Sequence, residues 1–352
     1  KTTIGVGTIF KYADTEPADC LIMFPRESEL KKMYENKVKK LLDGCDTLLK
    51  KIQATQAEDR KRGKDLLIKV NGIIVNILAT NNTKSISTKY NYYDEVVEYL
   101  VGKLEEAMER AKSFNESGEK FIISSTQHPT KGGDDQINFY FNISEVKLQF
   151  WAYCPHCKEH YYPEPETLVF PTLEQWKESI GLTPEDEVNV YTILSEYSAY
   201  VRDNARLKCP HCYGEIDNDT RRRLILDKKF EWFEVEPSVL DENNIVLSWK
   251  KVEKPKEKYK SVGLDINTLG IESYNMGDIA KDIVRAEYSK SKIQMMQMLY
   301  VGYFNRIYRT NVKKRESNDI LLLTNGLKWG IVPNDTAKLY FIVIHKKTII
   351  GG

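Results

Sequence analysis

Two identical tetrapeptides, Cys154-Pro-His-Cys157 and Cys209-Pro-His-Cys212, carry the plainest chemistry in the chain. A C-x-x-C turn points two thiolates at one tetrahedral ion, and two such turns complete a four-cysteine zinc site. The 51 residues between Cys157 and Cys209 (158 to 208) exceed the ~15–20 of a simple zinc ribbon, so one arm must carry an insertion. His156 and His211 lie inside the turns and read as spectators. A redox or disulfide pair is the competing reading of any C-x-x-C, but no thioredoxin-like context surrounds these two. A closed four-thiolate site leaves no coordination position open, so its work would be structural.

A second set of residues has the types needed to handle a nucleotide. The chain opens Lys1-Thr2, the last two positions of the phosphate-loop pattern G-x-x-x-x-G-K-[ST], with "TIGVGTIFKYA" as the helix behind them. Lys1 would contact phosphates and Thr2 would offer its hydroxyl to magnesium, although any lysine can precede a threonine. Asp94-Glu95 follows the aromatic run "YNYY". In phosphate-loop ATPases a carboxylate at a strand tip holds magnesium, and a neighbouring glutamate can take the proton of the attacking water. Acidic residues opening a helix are also what the helix dipole favours, and that reading stays open. The next strand ends "SSTQHPT", whose hydroxyls (Ser124, Ser125, Thr126) and amide (Gln127) would sit beside the acidic pair in a parallel sheet, where a residue sensing the γ phosphate is usual; capping of a helix by Ser125 or Thr126 is the alternative.

The elements that must position these groups can be read from periodicity. "ADCLIMFP" is a buried parallel strand. "ESELKKMYENKVKKLLDG" places Leu30, Met33, Tyr34, Val38, Leu41 and Leu42 on one helical stripe closed by Gly44. Asn71-Gly72 is a hairpin turn inside "LLIKVNGIIVNIL". "YNYYDE" reads as a strand and "VEYLVGKLEEAMERAKSF" as a helix with Leu100, Leu104, Met108 and Ala111 at helical spacing. "EKFIISST" is the next strand. "QINFYFN" and "KLQFWAY" both look like antiparallel strands. Residues 164–208 are polar and partly helical. The lysine-rich "KKVEKPKEKYK" reads as a linker, and Ile283, Ala286, Ile293, Met296, Leu299 and Phe304 suggest a packed helical face.

Composition narrows the rest. A chain of 352 residues, 41% hydrophobic and 11% aromatic, can build one large or two modest domains. The net charge of +1 announces no global nucleic-acid field, so such contacts would fall to "EDRKRGKD", "NDTRRRLILDKK" and "RIYRTNVKKR", each of which is also what a solvated helix face looks like. No apolar run approaches the ~20 residues of a membrane span and no signal-peptide pattern is present, which reads as a soluble intracellular protein. Cys20 and Cys45 read as small buried hydrophobes, and His128 has no evident partner in the sequence.

Taken in order, "KTT", "LIMFPRESELKKMYENKVKKLL", "GIIVNILATNNTKS", "DEVVEY", "AMERAKSF", "IISSTQHPT" and the two "CPHC" knuckles resemble the ATPase part of phage terminase large subunits of the lambda-like type. The resemblance runs over most of residues 1–340, and "GLKWGIVPNDTAKLYFIV" looks like the family's approach to its nuclease domain. It implies an α/β fold: a phosphate-loop (RecA-like, ASCE) ATPase core at 1–145, a zinc-ribbon insertion at 146–218 and a helical linker region at 219–340. It also implies ATP, Mg2+ and structural zinc as cofactors. By the resemblance Lys1 contacts phosphates, Thr2 and Asp94 anchor magnesium, Glu95 is the catalytic base, and Ser125 and Thr126 couple hydrolysis to movement. Arg110 is one candidate for an arginine finger. Double-stranded DNA, a small terminase subunit and a portal protein are the implied partners of a homo-oligomeric ring in the host cytoplasm.

Two departures shape the expectations. The strand and glycine loop of the family precede the lysine that is residue 1 here, so the chain as it stands is expected to hydrolyse ATP poorly. After Val343, where the family has a nuclease aspartate, the chain reads "IHKKTIIGG" over residues 344–352. Under one choice of codons, a single extra base turns that tail into Asp-Thr-Gln-Lys-Asp-Asn-Tyr-Trp-Trp, so a frameshift with loss of the nuclease is the expectation. Two other classes stay in view. A zinc-ribbon nucleic-acid-binding module would need no ATPase. A helicase-like ATPase would need a second acidic strand tip, and none appears after residue 213.

Overall fold

The computed structural model of the protein describes residues 2–16, 18–53, 66–70, 73–80, 86–128, 135–240 and 246–308. Lys1, Asn71-Gly72, the basic runs at 58–65 and 309–315, and the tail at 341–352 lie outside the described residues.

The first half is a mixed α/β layer with a parallel centre. A helix, Thr2–Thr15, leads into β1 (Cys20–Phe24), a helical segment from Glu27 to Asp43 with a π-helical turn at Tyr34–Lys39, and a short helix, Asp46–Lys51. Then come β2 (Ile52–Gln53), β3 (Leu66–Val70), β4 (Ile73–Ala79), β5 (Tyr90–Asp94) and β6 (Lys120–Ser124). The strand order is β2-β3-β4-β1-β5-β6. β4, β1, β5 and β6 run parallel, while β2 and β3 form an antiparallel edge in which Val70 faces Ile73.

The strand "CLIMF" is apolar throughout because both its faces are covered. Alternation divides it. Cys20, Ile22 and Phe24 meet Val6, Ile9, Phe10 and Ala13 of the first helix, with Leu30, Val38 and Leu42 of the following helical segment. Leu21 and Met23 face the opposite layer, with Leu78, Tyr93, Val96, Tyr99, Leu104 and Ala107.

The segment after β5 departs from a single helix. It breaks into a 3-10 turn (Val96–Glu98), a helix (Lys103–Glu109) and a second 3-10 stretch (Lys112–Ser117). Tyr99 is extended and buried, and its hydroxyl donates to the Met23 carbonyl at 2.9 Å. Gly102 then takes a left-handed conformation at φ 80°, so Leu100 is left 68% exposed, off any helix.

"QINFYFN" is also corrected: Gln136–Ile143 is a helix, not a strand. Asp135 caps it by accepting from the Asn138 N–H at 3.0 Å, and Ile137 and Tyr140, one helical step apart, pack on the core.

The second half follows the strand that was expected. β7 (Val146–Tyr153) pairs antiparallel with β8 (His160–Tyr161). β9 (Leu168–Val169), β10 (Arg206–Lys208) and β11 (Glu215–Ile216) make a small sheet of their own. β12 (Glu231–Leu240) bridges β7 and β13 (Val246–Lys251), and β14 (Val262–Asp265) adds to β7 in parallel. Strands from 231–265 thus complete the sheet begun by β7, so the stretch expected as a helical linker region from 219 onward is, among the described residues, strand and helix together and packs with 146–218. Their core takes Trp176, Tyr197 and Val201 from the 164–208 stretch and Met276, Ile279, Ala280, Val284 and Phe304 from the C-terminal helices. Ile293, expected on that packed face, is 49% exposed. Arg221 is buried beneath the Asn218–Leu226 helix, donating to the carbonyls of Leu269 (2.7 Å), Ile271 (3.1 Å) and Tyr274. Burial pushes its guanidinium down to about 10, still cationic at neutral pH.

Gly5 is where the first helix touches β5. A Cβ built there would lie 2.3 Å from the Tyr92 ring. In an exposed helix Gly→Ala stabilises by about 1 kcal/mol. At this site Gly5→Ala is expected to reverse that sign and cost about 1–3 kcal/mol, as overpacking does, read as a lowered thermal midpoint.

Candidate active site and cysteine cluster

Asp94 is the last residue of β5 and is fully buried. A carboxylate in such a place must be hydrogen-bonded, and three hydroxyls from three elements serve it. Thr2, opening the first helix, donates from Oγ1 to Oδ2 at 2.9 Å. Tyr92, two residues back on the same face of β5, donates to Oδ1 at 2.7 Å. Ser124 stands directly opposite Asp94 in the parallel register with β6 and donates to Oδ1 at 2.8 Å. The Tyr92 and Ser124 hydroxyls are themselves 2.8 Å apart. Burial, with the Asp94 charge second, pushes the Tyr92 phenol well up, so it stays a proton donor to the carboxylate.

Glu95 turns away from the strand. Its backbone is left-handed (φ 51°, ψ 49°), an uncommon setting for a residue with a Cβ, and the following 3-10 turn starts from it. Its carboxylate accepts from Ser125 Oγ at 3.3 Å and from the Thr126 N–H at 3.4 Å, while Ser125 Oγ also receives the Val97 N–H at 3.4 Å. Two adjacent carboxylates therefore sit at the carboxyl edge of a parallel sheet. One is buried beneath three hydroxyls and the other is half-buried on longer bonds. A buried aspartate beside a threonine hydroxyl can hold a divalent cation, and a half-buried glutamate next to it can take a proton from water.

Of the residues expected here, Thr2, Asp94, Glu95, Ser125 and Thr126 converge, and Lys1 lies outside the described residues. Ser124, expected with its neighbours beside the acidic pair, reaches Asp94 directly. Tyr92 is the residue the sequence reading missed; its signal was positional, since it shares a strand face with Asp94 by the period of two. Arg110 lies near Glu106 at 3.9 Å on the Lys103–Glu109 helix side, and nothing brings it to Asp94. In the run 218–229, Arg221 is buried and Arg222 pairs with Glu272, while Arg222, Arg223, Lys228 and Lys229 all remain solvent-exposed.

The four knuckle cysteines form the second constellation. Each knuckle tips a two-stranded hairpin, β7–β8 or β10–β11. The two are built alike. The Cys154 N–H donates to the Glu159 carbonyl and the Lys158 N–H to the Cys154 carbonyl, both at 2.9 Å. The Cys209 N–H and Gly214 carbonyl, and the Tyr213 N–H and Cys209 carbonyl, repeat this at 2.9 Å. Lys158 (φ 66°) and Tyr213 (φ 60°) take the left-handed turn at the same offset.

All four Sγ atoms lie within 4.8 Å of one another. Cys154 to Cys212 is 3.6 Å and Cys157 to Cys209 is 3.8 Å. Those separations are far from the ~2.05 Å of a disulfide. A tetrahedral ion with ~2.3 Å bonds sets its sulfurs about 3.8 Å apart, so the donor set fits zinc. Burial raises the Cys154 thiol to about 12, while the Gly214 N–H draws Cys212 down to about 7. His156 places Nε2 3.3 Å from the Glu215 carbonyl, and the His211 ring stands edge-on to Tyr161, neither among the clustered donors. Cys20 is buried on the other side of the fold, its thiol pushed up to about 12 by burial.

Among solved structures, the large terminase of a thermophilic bacteriophage (crystal form 3) aligns at 13% identity with a TM-score of 0.27, over 36% of this chain and 30% of that one. The chain thus spans under a third of that terminase's length. No curated protein matches. The family model for the phage terminase large subunit gpA, ATPase domain, matches residues 1–232. With that match covering most of the 352 residues, the chain belongs to the family of phage terminase large subunit ATPase domains.

Proposed function

We propose that Thr2, Asp94, Glu95, Ser125 and Thr126 form the hydrolytic centre of a motor that moves double-stranded viral DNA into a procapsid. The observation that carries the reading is the 2.9 Å bond from Thr2 to Asp94, which joins a helix start to a strand tip 92 residues away. A helix N-terminus favours anionic oxygens, and a buried carboxylate beside it favours a cation, which together suit a magnesium–triphosphate pair. Thr2 and Asp94 would hold the magnesium ion, which when bound neutralises phosphate charge. Lys1 would face the phosphates. Glu95 is the base: its half-buried carboxylate can orient a water and accept its proton, while Asp94 is held by its three hydroxyls and cannot swing. Ser125 and Thr126 sense where Glu95 points because they are bonded to it.

In this reading residues 1–145 are a phosphate-loop ATPase core, 146–218 a zinc ribbon and 219–340 the region that supports both. The cysteine cluster holds one zinc ion, which draws the two hairpins together and takes no part in hydrolysis. Double-stranded DNA, a small terminase subunit and a portal protein are the partners of a ring of such subunits in the host cytoplasm.

Glu95→Gln in the full protein is expected to lower ATP turnover by about 10²–10⁴-fold with nucleotide binding kept. Turnover within threefold of the parent would refute the assignment of the base. For the cluster, elemental analysis should find one zinc per chain. Cys209→Ser should lose that zinc and lower the thermal midpoint, whereas Cys45→Ser should keep both, and zinc retained after Cys209→Ser would exclude a four-thiolate site. Because thiolates must form to bind metal, zinc release should increase as pH falls.

A further inference from the structure

The four residues after β6 bond in different directions. Ser125 and Thr126 hold the Glu95 carboxylate, and the His128 N–H donates to Asp135 at 2.7 Å. Gln127, between them, points away from the acidic pair. Its Nε2 donates to Asn138 Oδ1 at 3.1 Å and to the backbone carbonyl of Asn305 at 3.0 Å, 178 residues further on. An amide nitrogen has two protons, and both are used.

Asn305 is itself a junction. It ends the C-terminal helical segment in a left-handed conformation (φ 53°, ψ 39°), one that asparagine often takes where a helix closes. Its side-chain Nδ2 donates to Asp265 Oδ1 at 3.1 Å and to the Ile266 carbonyl at 2.8 Å. The other oxygen of Asp265 collects Gln149 of β7 (3.0 Å), the Tyr162 hydroxyl (3.0 Å) and Arg306 (3.3 Å). Arg306 grips Glu164 with two bonds, at 3.0 and 3.1 Å, and lies over the Tyr162 ring. Gln149 and Tyr162 belong to the hairpin that ends in the first cysteine knuckle.

We infer that Gln127 is a positioning residue that couples the setting of the Glu95 carboxylate to the Asn305–Arg306 junction, and through it to the cysteine-bearing half. Ser125 and Thr126 both hold the same carboxylate oxygen, Oε2, so any turn of the Glu95 carboxylate releases the two together. When Glu95 turns, the 125–127 segment loses two bonds, and the two settings then differ in contacts, as any conformational shift requires. Gln127 is the side chain by which that difference reaches Asn305, whose backbone carbonyl it holds. The consequence for hydrolysis rests on Glu95 being the base; the coupling itself does not.

The test is an exchange cycle on the full chain without nucleotide. The Arg306 N–H, which donates to the Tyr300 carbonyl at 3.2 Å, reports the junction, and the amides of 262–266 report β14. Glu95→Ala is expected to speed their hydrogen exchange by about fivefold or more, the lower end of ordinary site-to-site coupling. In a Gln127→Leu background the same Glu95→Ala should change them by less than twofold. Unchanged exchange in the single variant, or an equal effect in both backgrounds, overturns the inference. Should Gln127→Leu not fold, Asn305→Gly keeps the left-handed backbone and the carbonyl but removes the next bonds, so Glu95→Ala should then leave 262–266 unmoved. An effect persisting there overturns the route. Loss of the proposed ATPase reading would show in turnover and binding, not in this cycle.

Discussion

A carboxylate buried at the tip of a parallel strand is the constraint from which the first half of the molecule follows. Asp94 has no access to water, so its oxygens must be served by protein donors or its burial would cost several kcal/mol. The three donors come from the first helix, from β5 itself and from β6. Thr2 can reach Asp94 only if the first helix lies close over the sheet, and that closeness needs a glycine where the helix passes Tyr92. Ser124 can reach it only in a parallel register that sets it opposite Asp94. Helix position, strand register and residue size are therefore tied to one charge.

The cysteine-bearing half answers a different problem. The strands around its knuckles are short: β8, β9 and β11 are two residues each. Such hairpins bury little surface of their own, and two-stranded ribbons are marginal in water. Four thiols converging at the tips, Arg221 spanning three carbonyls beneath a helix, and Arg306 gripping Glu164 and Asp265 supply what the hairpins lack. Each is a polar tie between segments far apart in sequence, where the first half relies on continuous apolar faces.

What could be read in advance divides along the same line. "CLIMF" is legible because only a strand covered on both faces tolerates that run, and the knuckles are legible because C-x-x-C has few uses. Asp94 and Glu95 were visible as types, yet the left-handed backbone that separates their directions leaves no mark in "DEVVEY". "QINFYFN" misled because Ile137, Phe139 and Phe141 fall at every second position as they would in a strand; the deciding residue was Asp135, a cap just outside the apolar pattern. The link from Gln127 to Asn305 had no local signal at all, since glutamine and asparagine are ordinary loop residues and their meeting depends on the whole fold.

The two neighbouring carboxylates differ above all in how firmly they are held. Asp94 accepts bonds of 2.7–2.9 Å from hydroxyls that are themselves packed, with Tyr92 wedged against the first helix. Glu95 accepts bonds of 3.3–3.4 Å from a stretch with no ladder of its own. Hydrogen bonds weaken as they lengthen, so Glu95 can exchange its partners at little cost while Asp94 cannot. In the assignment proposed above, the firmly held Asp94 suits a cation holder, whose geometry sets the charge it offers, and the more loosely bonded Glu95 suits a proton acceptor that must meet a water. The left-handed turn at Glu95 places this difference between consecutive residues: it lifts the second carboxylate out of the strand's ladder and onto the segment that reaches Asn305.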